Sequence, residues 1–165
     1  MAKVELTGLD DYMAKLRTLG EAAPKICKAA VYEGGDELAD AIREKIKSMP
    51  TIEDKQAEIA WKQDRPVAHI TEAQKAGLLA GLYLKKMDED GGFIDTQIGF
   101  SGYNKTKTRA YPQGQPNALI ARSMESGSSA RQKTPFVRPT VNAVKGTAAA
   151  RMGKKLIEMI DNIMN

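Results

Sequence analysis

The sequence predicts an α+β protein: a small antiparallel β-sheet packed against a long helix in the N-terminal half and a C-terminal helix, with long flexible loops. Residues 24–48 and 140–164 repeat apolar residues at the three- and four-residue spacing of a helix face. Between them, alternating residues on both sides of Asp90-Gly91-Gly92 indicate a β-hairpin. A length of 165 residues fits a single domain, residues 1–165.

The composition predicts a modest core. Hydrophobic residues make up 42% of the chain but aromatic residues only 5%, so Leu, Ile, Val, Met and Ala must fill the interior. We therefore expect a neighbouring subunit to cover some of the apolar surface.

The start of the chain predicts a short strand and a helix. Residues 4–6 alternate as in an edge strand, and Thr7-Gly8 turns the chain. Residues 9–19 then carry apolar side chains at helical spacing. Gly20 is expected to end this helix.

A second helix is predicted over residues 24–48. Pro24 suits its first turn, where a missing N–H is tolerated. Gly34-Gly35 interrupts the apolar stripe, and each glycine costs about 1 kcal/mol relative to alanine in a helix. A close helix crossing or a kink is one interpretation, and a hinge is the other.

Residues 49–70 carry the weakest signals and are interpreted as a variable, insertion-like segment. Within them, residues 52–62 predict a short amphipathic helix, which Pro66 follows. This helix carries Trp61, the only tryptophan, interpreted as a partly buried anchor rather than a binding platform.

The central part predicts a helix followed by the sheet. Thr71 can cap a helix over residues 71–79. Residues 82–84 begin the β region, and residues 93–100 return through the Gly91-Gly92 turn as the next strand.

Two loops and a third strand are predicted next. Residues 101–117 contain two glycines and two prolines and predict a long exposed loop, of a kind that is usually functional or disordered. Residues 119–124 are predicted to form the third strand, and residues 125–133 a mobile connection.

An extended arm and a helix are predicted to complete the chain. Pro135 and Pro139 fix their own φ angles and bias the preceding residues towards extended conformations. Residues 134–139 are therefore expected to form a stiff arm that presents Phe136 for burial in a neighbouring subunit or in the parent sheet. The last helix is predicted over residues 140–164.

Positive charge is concentrated in the second half of a chain whose formal net charge is +4. Between residues 103 and 145, eight basic residues stand against one acidic residue, Glu125. Three of them, Lys105, Lys107 and Arg109, lie in the predicted exposed loop. Such an excess suits an acidic protein surface or phosphate. An acidic protein partner or a solvated loop is favoured over direct DNA contact.

No catalytic, cofactor or metal site is predicted. His69 is the only histidine and no Ser or Cys motif frames it, while the glycines lack the spacing of phosphate-binding loops. Cys27 stands alone, so an intrachain disulfide is impossible and a reducing cytoplasm fits. An enzyme would become plausible only if Asp88, Glu89 and His69 clustered around a pocket.

The sequence also predicts a protein that makes no membrane contact. Its N-terminus lacks the apolar run of a signal peptide. No apolar stretch approaches the roughly 20 residues of a membrane helix. Synthesis in the cytoplasm is expected.

Two motifs together carry a family resemblance. An apolar segment runs into Glu125-Ser126-Gly127-Ser128, and a small-residue loop then leads to Pro135-Phe136-Val137-Arg138-Pro139. This pair resembles the tail-component, or tail-completion (neck), proteins of long-tailed bacteriophages and prophages. Residues 4–12 and the run Gly77-Leu78-Leu79-Ala80-Gly81-Leu82 agree with the same family. The resemblance covers most of the chain except residues 49–70.

The resemblance implies a structural virion-assembly protein at the phage head–tail junction, and not an enzyme. It implies a homo-oligomer, hexameric as a ring, that contacts connector or head-completion proteins and the tail tube or tail terminator. The alternative is a DNA-binding or packaging accessory protein that uses the basic second half. The predicted contact residues in the motif region are Arg122, Glu125, Gly127, Pro135, Phe136, Arg138 and Pro139. In the loop, Lys105, Lys107 and Arg109 are expected to meet the tail tube, the connector or DNA.

Overall fold

Five helices and six short strands make up the described part of the chain. The computed structural model describes residues 8–85, 87–90 and 93–165. The predicted α+β class is confirmed, with helix predominating. The elements are α1 (Leu9–Ser48), β1 (Thr51–Ile52), α2 (Asp54–Lys62), β2 (Ile70–Thr71), α3 (Glu72–Gly81), β3 (Leu82–Leu84), β4 (Asp88–Asp90), β5 (Phe93–Asp95), β6 (Ile98–Phe100), α4 (Asn117–Ser126) and α5 (Val137–Met164).

The two longest helices, α1 and α5, pack side by side as an antiparallel hairpin. Near the start of α1, Lys15 Nζ donates to the carbonyl oxygen of Met164 at the end of α5, at 2.7 Å. Further along, Arg151 pairs with Glu33 at 3.1 Å and with Glu37. The hydrogen bond and charge of Glu37 raise the pKa of Arg151. No residue of α1 from Leu9 to Lys25 is buried, and none of α5 from Ala149 onwards, so the end of the hairpin that holds Leu9 and Met164 projects from the rest of the described fold.

The predicted break between two N-terminal helices is wrong, because α1 continues through Gly20 and Pro24. An internal proline removes one helix hydrogen bond and costs about 3 kcal/mol. Packing against α5 offsets this, since Ile26 and Ala30 are buried just after the proline.

The glycine pair in α1 marks a close helix crossing. A Cβ atom on Gly34 would lie 2.4 Å from Met152 Cγ and 3.3 Å from the carbonyl oxygen of Ala148, both on α5. On Gly35 it would meet Leu84 at 3.0 Å. The crossing interpretation is therefore supported, and the helix shows no interruption at this point.

The core lies at the end of the hairpin where α1 finishes and α5 begins. Thr71 caps α3 as predicted: its side chain accepts from Gln74 N–H while the Gln74 side chain accepts from Thr71 N–H. The buried apolar cluster comprises Ile42, Ile46, Met49, Ile70, Leu78, Leu82, Ile120, Ala121, Met124 and Phe136.

The strands form three separate pairs. β4 and β5 pair antiparallel, which confirms the hairpin, although Gly91 and Gly92 lie outside the described residues. β3 pairs antiparallel with β6, and β1 pairs parallel with β2. The predicted single strand over residues 93–100 is thus two strands, β5 and β6. The predicted strand over residues 4–6 falls outside the described residues.

The predicted third strand over residues 119–124 is wrong, because this segment is the helix α4. Its buried residues Ile120, Ala121 and Met124 recur at helical spacing. Pro116 at the N-cap and Gly127 at the C-cap bound it. Residues 101–116 contain no helix or strand and are mostly exposed, as predicted.

Candidate functional site

The acidic residue of the first motif binds the backbone of the second. One carboxylate oxygen of Glu125, Oε1, accepts the N–H groups of Phe136 and Val137, each at 2.6 Å. The N–H of Thr134 also donates to the carbonyl oxygen of Met124, at 2.9 Å. Because a helix N-terminus carries unpaired donors and partial positive charge, a carboxylate is favourable there. The two motifs thus form one structural joint between α4 and α5.

The prolines of the second motif fit this joint. The predicted start of the last helix after Pro139 is wrong, because α5 begins at Val137. Pro139 is the third residue of the helix, where an N–H would have no intrahelical partner. Together, Glu125 and Pro139 account for three of the four donor positions at this helix end. The extended arm is therefore limited to the two residues before Phe136.

Phe136 is not presented to solvent or to a neighbour. Its side chain is 1% exposed, and its ring centroid lies 5.9 Å from that of Phe100 in a tilted arrangement. Of the two expected burial places, the parent fold is the one observed. The prediction of a free arm that presents Phe136 is wrong, because the ring completes the core between the hairpin and the strands.

The other predicted contact residues lie around the joint. Arg122, Pro135 and Arg138 are exposed. Within the described part of the chain, neither arginine forms an ion pair. Gly127 has φ +78° and ends α4, with its N–H donating to Ser123 at 2.9 Å. It therefore has a structural role, whereas the two arginines are available to a partner.

The loop cations form part of a large open cleft. It has a volume of about 1170 Å³ and lies between α2 and residues 105–111. Lys105, Lys107 and Arg109 line one wall. The facing wall carries residues of α2: Asp54, Ala57, Glu58 and Trp61. The insertion-like segment and the basic loop thus meet at one site.

A network of neutral acceptors and one cation forms the floor of this cleft. The Arg131 guanidinium donates to the carbonyl oxygen of His69 at 3.1 Å and to Gln74 Oε1 at 2.9 Å. Gln74 in turn donates to Gln115 Oε1 at 2.9 Å. Burial lowers the pKa of Arg131. No carboxylate in the described part of the chain pairs with this guanidinium.

Backbone hydrogen bonds join Val67 to the residues on both sides of Arg131. Val67 N–H donates to Ala130, and Gln132 N–H donates to Val67, at 3.1 and 3.0 Å. The predicted mobile connection over residues 125–133 is thus tied to the segment of residues 49–70. No local sequence signal marks this parallel bridge, since its two sides are more than sixty residues apart.

The structure assigns no reaction to this cleft. His69 lines it, but the side chains of Asp88 and Glu89 fall outside what the structure describes. Among the described residues, no three His, Cys, Asp or Glu side chains are grouped as a metal site requires. Within the same residues, no helix has the length and apolar character needed to cross a membrane.

A second candidate surface lies on the projecting end of the hairpin. Leu9, Met13 and Leu16 follow each other on α1 at spacings of four and three residues, and all three are exposed. On α5, Ile157 is 59% exposed. Large apolar side chains left in water at regular helical spacing indicate an interaction surface.

Comparisons with known proteins give this chain no family. No protein-family model, curated protein or solved structure matches it. The resemblance to phage neck proteins therefore stays a prediction, and its support must come from the geometry.

Proposed function

We propose that this chain is a structural assembly protein of the head–tail junction of a long-tailed bacteriophage or prophage. It works by self-association and by docking to connector and tail proteins. The motif pair supports the proposal because Glu125 binds the backbone of Phe136 and Val137 directly. The two motifs are thus parts of one structural joint, which gives a physical reason for their occurring together in the sequence. The open face of the helical hairpin carries the self-association.

Helix geometry defines this open face. Residues turn by about 100° along a helix. The side of α1 that faces α5 contains Leu19 and the buried Ile26, and Leu9, Met13 and Leu16 lie on the adjoining strip. We call this the α1 strip. A two-helix hairpin alone can cover only one side of each helix.

The α5 helix carries a matching strip. Gly153, Ile157 and Ile160 lie beside the side that faces α1. In an antiparallel pair of right-handed helices, strips displaced in the same rotational sense lie on the same face of the pair. The α1 and α5 strips therefore form one apolar face. A Cβ on Gly20 or Gly153 would have no atom within 4 Å, which leaves room for an approaching helix.

A second copy of the hairpin is the occupant that fits this face best. Two hairpins packed through their apolar strips form a four-helix arrangement, whose core needs apolar residues from every helix. Each copy would cover in the other the surface that its small core leaves open. Because both copies use the same strips, this contact is self-complementary and closes as a two-fold dimer, and the ring that the resemblance implies needs a different contact between such dimers. Arg122 and Arg138 at the other end of α5 remain available to connector or tail proteins.

Light scattering across a concentration series tests the self-association. We expect wild-type protein to form species heavier than the 18.0 kDa chain. Met13→Lys and Ile157→Lys should each raise the dissociation constant about 10- to 100-fold. Burial of the native apolar side chain contributes about 1.5–3 kcal/mol to association, and lysine puts a charge in its place. Tyr32→Lys is the matched control: Tyr32 is 50% and Met13 54% exposed, and helix geometry places Tyr32 about 100° round α1 from Met13.

The same variants test the role in the particle. In a phage carrying the chain, Met13→Lys should leave heads and tails unjoined in electron micrographs of lysates, while Tyr32→Lys should give complete particles. Wild-type protein that stays monomeric at every concentration would exclude self-association through this face. Joined particles in all variants would argue against the head–tail assignment. Retention on heparin that Lys105, Lys107 and Arg109 control would instead favour the DNA-binding alternative.

A further inference from the structure

The cations of the cleft are not paired with the two carboxylates that also line it, Asp54 and Glu58. Lys105, Lys107 and Arg109 form no ion pair within the described residues, and Arg131 on the floor bonds only to neutral oxygens. Removing a guanidinium from water without an anionic partner is unfavourable, which the lowered pKa of Arg131 reflects. An anionic ligand in the cleft would relieve this cost. The site is therefore built for negative charge.

The opposite wall of the cleft is different in character. Trp61 is 64% exposed although its indole is the largest side chain available for burial. Ala57, one turn earlier on α2, lines the same wall. Glu58, between them, is paired with Lys62 at 2.7 Å, and this bond lowers the pKa of Glu58. The α2 wall thus combines an exposed indole with two carboxylates, of which that of Glu58 is already paired.

We propose that this cleft binds an extended segment of a partner protein in which acidic residues alternate with apolar ones. Successive side chains of an extended peptide point to opposite sides, and those on one side recur about every 7 Å. The three cations of the loop stand at every second residue, at positions 105, 107 and 109, and all three line the cleft. Carboxylates of the segment meet these cations and Arg131, while its apolar side chains cover Trp61.

A peptide fits this cleft better than single-stranded nucleic acid. Binding of single strands normally uses several exposed aromatic rings on which successive bases stack. Of the Trp, Tyr and Phe side chains that line this cleft, Trp61 is exposed and Tyr111 is half-buried, and Trp61 stands on α2 with the carboxylates of Asp54 and Glu58. A chain with a phosphate at every unit would meet these carboxylates, whereas an alternating peptide turns apolar side chains towards them and its own carboxylates towards the cations.

The inference goes beyond the proposed function, because it names the chemistry of a partner and does not depend on self-association. The cleft and the apolar face of the hairpin lie far apart on the molecule: Leu16 and Ser48, near the cleft end of α1, are separated by about 48 Å along the helix. A failure of one proposal therefore leaves the other intact, and separate variants test each.

Fluorescence of Trp61 provides a direct test, since it is the only tryptophan of the chain and lies in the cleft. The probe is the peptide Asp-Leu-Asp-Leu-Asp-Leu-Asp, titrated into the full-length protein. We expect a saturable blue shift as leucine side chains cover the indole. Replacing Lys105, Lys107 and Arg109 together by Gln should weaken binding about tenfold, since each solvated charge pair contributes modestly.

Three controls decide the outcome. Changing Lys25, Lys145 and Lys154 to Gln removes the same charge from exposed positions outside the cleft and should leave the affinity within about twofold, because distant charges are screened. The block isomer Asp-Asp-Asp-Asp-Leu-Leu-Leu should bind more weakly than the alternating peptide; equal affinity would overturn the alternation. No saturable shift with the alternating peptide, or saturation by oligothymidylate alone, would overturn the proposal of a peptide site.

Discussion

Removing the Glu125 carboxylate tests whether the α4–α5 joint stabilises the fold. Its two bonds, to Phe136 and Val137, are each 2.6 Å long and are made by a half-buried group. Hydrogen bonds to charged groups contribute about 1.5–3 kcal/mol each. Because one oxygen accepts both bonds and water reaches the site, we expect Glu125→Ala to lower the free energy of unfolding by about 2–4 kcal/mol. Glu125→Gln keeps a neutral acceptor and should lower it by about 1 kcal/mol.

Urea unfolding followed by circular dichroism measures these changes. With a slope of about 2 kcal/mol/M, Glu125→Ala should shift the midpoint by about 1–2 M. Glu158→Gln is the control, because this exposed carboxylate contacts only Lys155, at 3.3 Å, and should change stability by less than about 0.5 kcal/mol. A Glu125→Ala midpoint no lower than that of Glu158→Gln would refute the structural role of the joint. The carboxylate would then be free for an intersubunit contact.

Two further predictions concern the core and the glycines, and both are measured in the Met13→Lys background so that association does not contribute. Phe136→Ala should destabilise the subunit by about 3–5 kcal/mol, as expected for a fully buried ring; unchanged urea unfolding would restore the idea of a free arm. Gly77→Ala should destabilise by about 1–3 kcal/mol in a thermal melt, because its Cβ would lie 2.5 Å from Asn104 Cβ. Gly146→Ala, with nothing within 4 Å, should stabilise by up to about 1 kcal/mol. Equal effects of the two glycine changes would contradict the packing around α3.

The sequence predicted correctly those elements whose stabilising contacts join residues close together in the chain. The Thr71 cap needs only Gln74 three residues later, and both side chains take part in it. The pairing of β4 with β5 needs only a short connection between strands. Helical spacing likewise identified both long helices. In these cases the stabilising contacts lie within a few residues of each other, so a single sequence contains the information.

The errors arose where tertiary contacts decide the outcome. Pro24 would end a solvated helix, but burial of Ile26 and Ala30 against α5 keeps α1 continuous. Residues 119–124 contain apolar residues that fit a short strand or a helix, and burial of Met124 in the core selects the helix. Short apolar segments have this ambiguity in general.

The cleft could not be predicted because its parts are distant in the sequence. Trp61, Arg109 and Arg131 come from three separate segments, of which two have no regular structure at these positions. Counting charges in the sequence identified the cations. Only the fold shows that no carboxylate in the described part of the chain pairs with them. The exposure of Trp61 likewise corrects its interpretation as a partly buried anchor.

The motif pair closes the subunit, so other groups must make the contacts with partners. Glu125 and Phe136 are engaged in closing the subunit, so they cannot also be its main contacts with neighbours. A motif of this kind identifies a way of folding, and proteins that share a fold can differ in function. Partner contacts must therefore come from groups that the fold leaves unsatisfied. These are the apolar strips at the free end of the hairpin and the unpaired cations of the cleft. Since the two surfaces lie at opposite ends of α1, the proposed self-association and the proposed binding of a partner segment do not compete for the same surface.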